Sequence, residues 1–131
     1  MLPQTLRPQS ATEKFMSTNL RYSAVGIQNQ SRMAVSRADY MKDIERLAST
    51  IGFAVWNCSL DLPVRLVAVS EGGIGGWALG GGAEHLRVYR DIVPELIGPE
   101  TRALGDIARS TKTYLVAQMV CKDPEFMEDK I

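Results

Sequence analysis

Seven of the chain's eleven glycines fall in one stretch, Glu71–Gly82, with the sequence EGGIGGWALGGG. Glycine reaches positive φ angles and lets backbone approach a neighbour closely, while repeated glycines oppose helix propagation. The stretch is therefore expected to be a long irregular loop. It follows VRLVAV (Val64 to Val69), which is short, β-branched and preceded by the breakers Asp61 and Pro63, and so predicts a central strand.

The elements on either side fix the fold class. YSAVGIQNQ, from Tyr22 to Gln30, sets Tyr22 and Ala24 against Val25 and Ile27 and predicts a first strand buried on both sides. Tyr40, Met41, Ile44, Leu47, Ala48, Ile51 and Val55 recur every three or four residues, and Ser36 and Asp39 precede them at capping-box spacing. Gly98 and Pro99 open a second helix with Leu104, Ile107 and Ala108 on one face, and TYLVAQMV (Thr113 to Val120) predicts a third strand. The expected order is strand, helix, strand, long loop, helix, strand. That alternation argues for an α/β fold with helices packed on a largely parallel sheet.

Composition removes several classes of function. The 131 residues carry 15 basic and 15 acidic groups, so there is no electrostatic footprint for nucleic acid or an anionic membrane. No apolar run approaches the roughly 18–20 residues that span a bilayer. Cys58 and Cys121 form no CxxC pair, and His85 is the lone histidine, so the spacing offers no metal site and fits a reducing cytoplasm. Residues 1–21 lack the apolar core of a secretory signal and contain Pro3 and Pro8, which predicts a flexible lead before a domain over 22–131. The charged tail after Cys121 holds nothing to complete the sheet, so the domain is expected to be partial.

Glu71 ends the second strand and opens the glycine loop, where open α/β sheets place ligand chemistry. An acidic residue at a strand end is more often solvated or a helix cap. The neighbouring segments change that balance. VGIQ (25–28), RADYMKDIERLASTI (37–51), RLVAVSE (65–71) and IGPETRALGDIARSTKTYLVAQMV (97–120) occur in an order that resembles the first half of the nitrilase-type carbon–nitrogen hydrolase superfamily. The similarity covers about residues 22–121. It implies the N-terminal part of an α-β-β-α sandwich and a cofactor-independent hydrolase of amide, nitrile or N-carbamoyl compounds. It also implies a homo-oligomer when the protein is complete, and a Glu–Lys–Cys triad in which Glu71 is the general base.

The family's lysine and cysteine follow the third strand at a distance and match nothing here. Cys58 and Cys121 read as ordinary small buried or half-buried residues, and Lys112, Lys122 and Lys130 as solvated cations, with Lys112 at a helix's carbonyl end. Ser70 stands where the family usually has proline. Trp77 is a possible pocket wall, although a tryptophan on a glycine loop more often folds back to bury its ring. His85 has no recognisable partner. Two rivals remain. One is a nucleotide-binding module, from Gly73, Gly75 and Ala78 at GxGxx(G/A) spacing with Asp91 beyond. The other is a non-catalytic remnant that associates through its incomplete sheet.

Overall fold

The computed structural model describes residues 20–77 and 83–123, with backbone only for 84–86 and 88. The elements run β1 (Ser23–Ile27), α1 (Arg37–Cys58), β2 (Val64–Val69), α2 (Ala83–Ile92), α3 (Pro99–Thr111) and β3 (Tyr114–Val116). The chain is thus a mixed α/β fold. Its sheet has the order β1-β2-β3 with both pairings parallel, which makes β2 the central strand as its sequence predicts.

α1 begins where the sequence places it. The Asp39 carboxylate accepts the backbone N–H of Ser36 at 3.0 Å and the Ser36 hydroxyl at 2.8 Å, so the N-terminal turn closes on itself. Lys42 and Ser36 hold that carboxyl well below the usual range. Tyr40, Ile44, Leu47 and Ile51 then form one buried stripe. They pack with Ile27, Val64, Val67, Ile74 and Ile107 into the core. α3 starts with Pro99 after Gly98, whose N–H bonds the Thr101 hydroxyl at 3.1 Å. It ends at Lys112, which takes the left-handed conformation (φ 55°) typical of a helix C-terminus.

Four expectations are corrected. β1 is covered on one face only: Ile27 is buried and Val25 half-buried, but Ala24 and Gly26 are exposed. The third strand pairs over three residues instead of eight. Beyond Val116 the chain is drawn away from β2, because Gln118 bonds the Gly72 N–H (2.8 Å) and Lys122 exchanges backbone bonds with Pro94 and Leu96 (2.8 Å each). The expected long loop contains α2, which the glycine run masks although Tyr89 and Val93, four apart, are both buried. Cys58 is exposed at the end of α1, not buried or half-buried; Cys121 is half-buried as expected. Residues 1–19 of the expected lead and 124–131 of the tail, including Lys130, lie outside the described residues.

The register shows what covers the sheet. Ala24, Leu66 and Tyr114 form one cross-strand row, and Gly26, Ala68 and Val116 the next. In these rows Tyr114 is 79% and Val116 58% exposed. Val25, Val67 and Leu115 lie on the other face, under α1 and α3. Parallel sheets normally have both faces covered. Here the second face is open among the described residues, and Leu20, Tyr22, Arg65, Leu66 and Tyr114 line a groove of about 460 Å³ on it.

One ion pair, its carboxylate buried and its guanidinium exposed, ties the two helices that cover the first face. Glu100, 1% exposed, accepts Nε of Arg37 at 3.0 Å and Nη2 at 3.3 Å. Burial pushes the Glu100 carboxyl up, but the Arg37 guanidinium and Glu100's own backbone N–H outweigh it, and the net value lies below the ordinary 4.5. A depressed carboxyl stabilises the fold above its unfolded-state value and loses that contribution as pH falls through the lower, folded-state value. Glu100→Gln is therefore expected to lower the unfolding free energy by about 1–3 kcal/mol at pH 7. Urea titrations of both proteins should show that gap closing as pH falls below about 4.5, the ordinary carboxyl value.

Candidate active site

Glu71 is the first residue of a turn, 71–75, separated from the end of β2 by Ser70 alone. The turn is anchored to β1 through Ser70 and Asn29. The Ser70 N–H donates to the Ile27 carbonyl at 3.0 Å, which extends the strand alignment by one bond. Its hydroxyl donates to Asn29 Oδ1 at 3.0 Å, and Asn29 Nδ2 donates to the Gly73 carbonyl at 2.8 Å. Proline at position 70 would offer neither the N–H nor the hydroxyl. Serine at this position thus makes two bonds that proline cannot make.

The far side of the turn is held by α1. The Gly75 N–H donates to Asp43 Oδ2 at 3.0 Å, and the Gly75 carbonyl accepts the Ala34 N–H at 3.0 Å. Asp43 is 8% exposed, and Arg46 neutralises its other oxygen. Gly72, Gly75 and Gly76 have φ values of 69°, 72° and 63°, in the left-handed region that favours glycine. A Cβ on Gly75 would collide with the Tyr40 ring, and one on Gly76 with the Arg32 backbone. Tyr40 is fully buried; burial, with Tyr89 beside it, pushes its pKa upward.

Glu71 itself is exposed at the carboxyl end of the central strand, so it lacks the partial burial that suits a general base. Trp77 folds back so that its indole lies against Gly72, while 39% of the residue stays exposed. Asn29, Asp43 and Gln118 position this turn, and the sequence reading missed all three. Asp43 left a signal: a carboxylate inside the apolar stripe of an amphipathic helix needs a partner. Gln118 is likewise the lone amide in a strand-like run.

The other candidates are not brought to Glu71 by any hydrogen bond or ion pair among the described residues. Cys121 is half-buried, and burial, reinforced by Glu100, raises its thiol pKa, which disfavours the thiolate a nucleophile needs. Lys112 caps α3, and Lys122 bridges Glu95 through its backbone. The side chain of His85 lies outside the described residues, as do Ala78 and Gly80 to Gly82. Of the GxGxx(G/A) positions, Gly73 and Gly75 lie in the turn 71–75, and Ala78 lies outside the described residues. Among the described residues no cluster of three or more His, Cys, Asp or Glu can hold a metal ion. No described helix is long and apolar enough to cross a membrane.

No protein-family model, no curated protein and no solved structure matches the chain. The site therefore stands on its own geometry. Gln118→Ala removes the acceptor of the Gly72 N–H. It is expected to speed amide hydrogen exchange at Gly72 about tenfold, the consequence of losing one hydrogen bond, while the amides of α3 are unchanged.

Proposed function

We propose that this chain carries the glutamate-bearing half of a cofactor-independent hydrolase of non-peptide carbon–nitrogen bonds, with an amide, nitrile or N-carbamoyl compound as substrate. The observation that carries the reading is the position of Glu71, at the carboxyl end of the central parallel strand on a turn held by Asn29, Ser70, Asp43 and Gln118. In this reading the sheet is one layer of an α-β-β-α sandwich. The open face bearing Tyr114 and Val116 is where the second sheet packs, and the segments that follow β3 in the family supply the lysine and the cysteine.

The chemistry follows from a carboxylate shielded by those segments. Glu71 takes the thiol proton, and the thiolate attacks the amide carbon to give a tetrahedral adduct whose oxyanion the lysine stabilises. The protonated Glu71 then gives its proton to the departing amine as the carbon–nitrogen bond breaks, leaving a thioester. Finally it takes a proton from water, whose oxygen attacks the thioester, and returns that proton to the thiolate. No step uses a cofactor. A reducing cytoplasm suits the free thiols of Cys58 and Cys121, and a homo-oligomer is the assembly that goes with this reading.

The competing proposal, a non-catalytic fragment that works by association, draws on the same open sheet face. Ammonia release separates the two. The 131 residues alone are expected to release none from simple amides. Expressed with segments bearing the lysine and the cysteine, the wild type is expected to release ammonia. Glu71→Gln should cut that rate by about 10²–10⁴-fold with the unfolding midpoint unchanged. Equal rates for wild type and variant would remove Glu71 from the chemistry.

A further inference from the structure

The groove on the open sheet face is built around a break in strand register. Ser23 of β1 pairs with Val64, and the next residue, Ala24, pairs with Leu66, so Arg65 is an extra residue of β2 with no partner in β1. Successive strand residues normally point to opposite faces, which would send Val64 and Val67 to different sides. The extra residue lets both valines enter the core, 4% and 0% exposed, and leaves Arg65 and Leu66 together on the groove side. Such bulges are uncommon in parallel pairs, and they re-aim side chains. Here the residue re-aimed is a cation set in an apolar surface.

Charge decides what fits it. The other lining residues are Leu20, Tyr22, Leu66 and Tyr114, so Arg65 is the one charge in the groove. Among the described residues no carboxylate pairs with Arg65, whereas Arg37, Lys42, Arg46 and Arg109 each have one. A space of about 460 Å³ with mostly apolar walls and one placed polar group suits a small organic molecule. The guanidinium fork takes a carboxylate through two parallel hydrogen bonds, and the tyrosine rings offer broad apolar surface to whatever carries it. A layer packed on the open face would roof the groove and raise the cost of leaving Arg65 without an anion.

We propose that this groove binds a small monocarboxylate with an aromatic or short alkyl body, its carboxylate on Arg65 and its body against Tyr22, Leu66 and Tyr114. The groove lies at the amino ends of the strands: Tyr22 precedes β1, Arg65 is the second residue of β2 and Tyr114 the first of β3. Glu71 follows the opposite end of β2. The site is therefore separate from the one assigned to the hydrolase and does not depend on that reading.

Titration of the 131-residue chain with phenylbutyrate, followed by backbone amide NMR shifts, tests it. Saturable shifts are expected at Tyr22, Leu66 and Tyr114. Arg65→Gln should weaken binding about tenfold or more, as loss of a charge-assisted hydrogen-bond pair does. The neutral analogue phenylbutanol should bind the wild type and Arg65→Gln equally, and inorganic phosphate should bind the wild type about tenfold more weakly than phenylbutyrate, because it fills none of the apolar wall. Circular dichroism of Arg65→Gln should match the wild type, since the residue is exposed. Shifts that do not saturate, an affinity that Arg65→Gln leaves unchanged, or phosphate binding as tightly as phenylbutyrate overturns the proposal. So do shifts at these residues that grow with protein concentration in the absence of ligand, which would give the groove to a second copy.

Discussion

The contact between α1 and Gly75 organises this fold. Tyr40 presses its ring on the glycine's α-carbon from inside the core, Asp43 takes the glycine's N–H, and Ala34 donates to its carbonyl. Any side chain at 75 would have to enter the space of a fully buried tyrosine while its backbone stays at φ 72°. The glycine run is therefore a fitted piece of the core: residues 72–76 are buried. Asn29 and Gln118 close the same turn from β1 and from the segment after β3. Four parts of the chain thus converge on the few residues that follow Glu71 and fix where that carboxylate stands.

The second constraint is the one-sided sheet. Its helical face is packed and cross-tied by the Arg37–Glu100 pair, while the other face presents tyrosine and valine outward. An apolar β-surface of this kind associates with another layer. The proposed hydrolase places the thiol-bearing half there, which would bury Glu71 and supply the desolvation that its present exposure lacks.

Local pattern and structure agree where the cause is local. The limits of β2, the Ser36–Asp39 start of α1 and the Pro99 start of α3 are set by residues within a few positions, and these are readable from the sequence. β3 is shorter than its apolar run because pairing depends on where Gln118 and Lys122 find partners, which are distant in sequence. α2 was hidden because the preceding glycines carry a strong loop signal and its own buried residues are few. The one-sided burial of β1 follows from how many layers surround the sheet, and an alternating pattern does not reveal that. At the site, Glu71 was readable from its place at a strand end. Asn29, Asp43 and Gln118 meet only through tertiary contact; Asp43, a carboxylate on a buried helix face, and Gln118, the lone amide in a strand-like run, carried a sequence signal, and Asn29 carried none.

The claim that glycine at 75 clamps the Glu71 turn into place is tested most directly by unfolding free energies of two glycine-to-alanine variants. Gly26→Ala puts a methyl where nothing lies within 4 Å and should change stability by less than about 1 kcal/mol. Gly75→Ala, facing Tyr40 at a positive φ, should lose more than about 2 kcal/mol. Equal stabilities for the two variants would contradict the account.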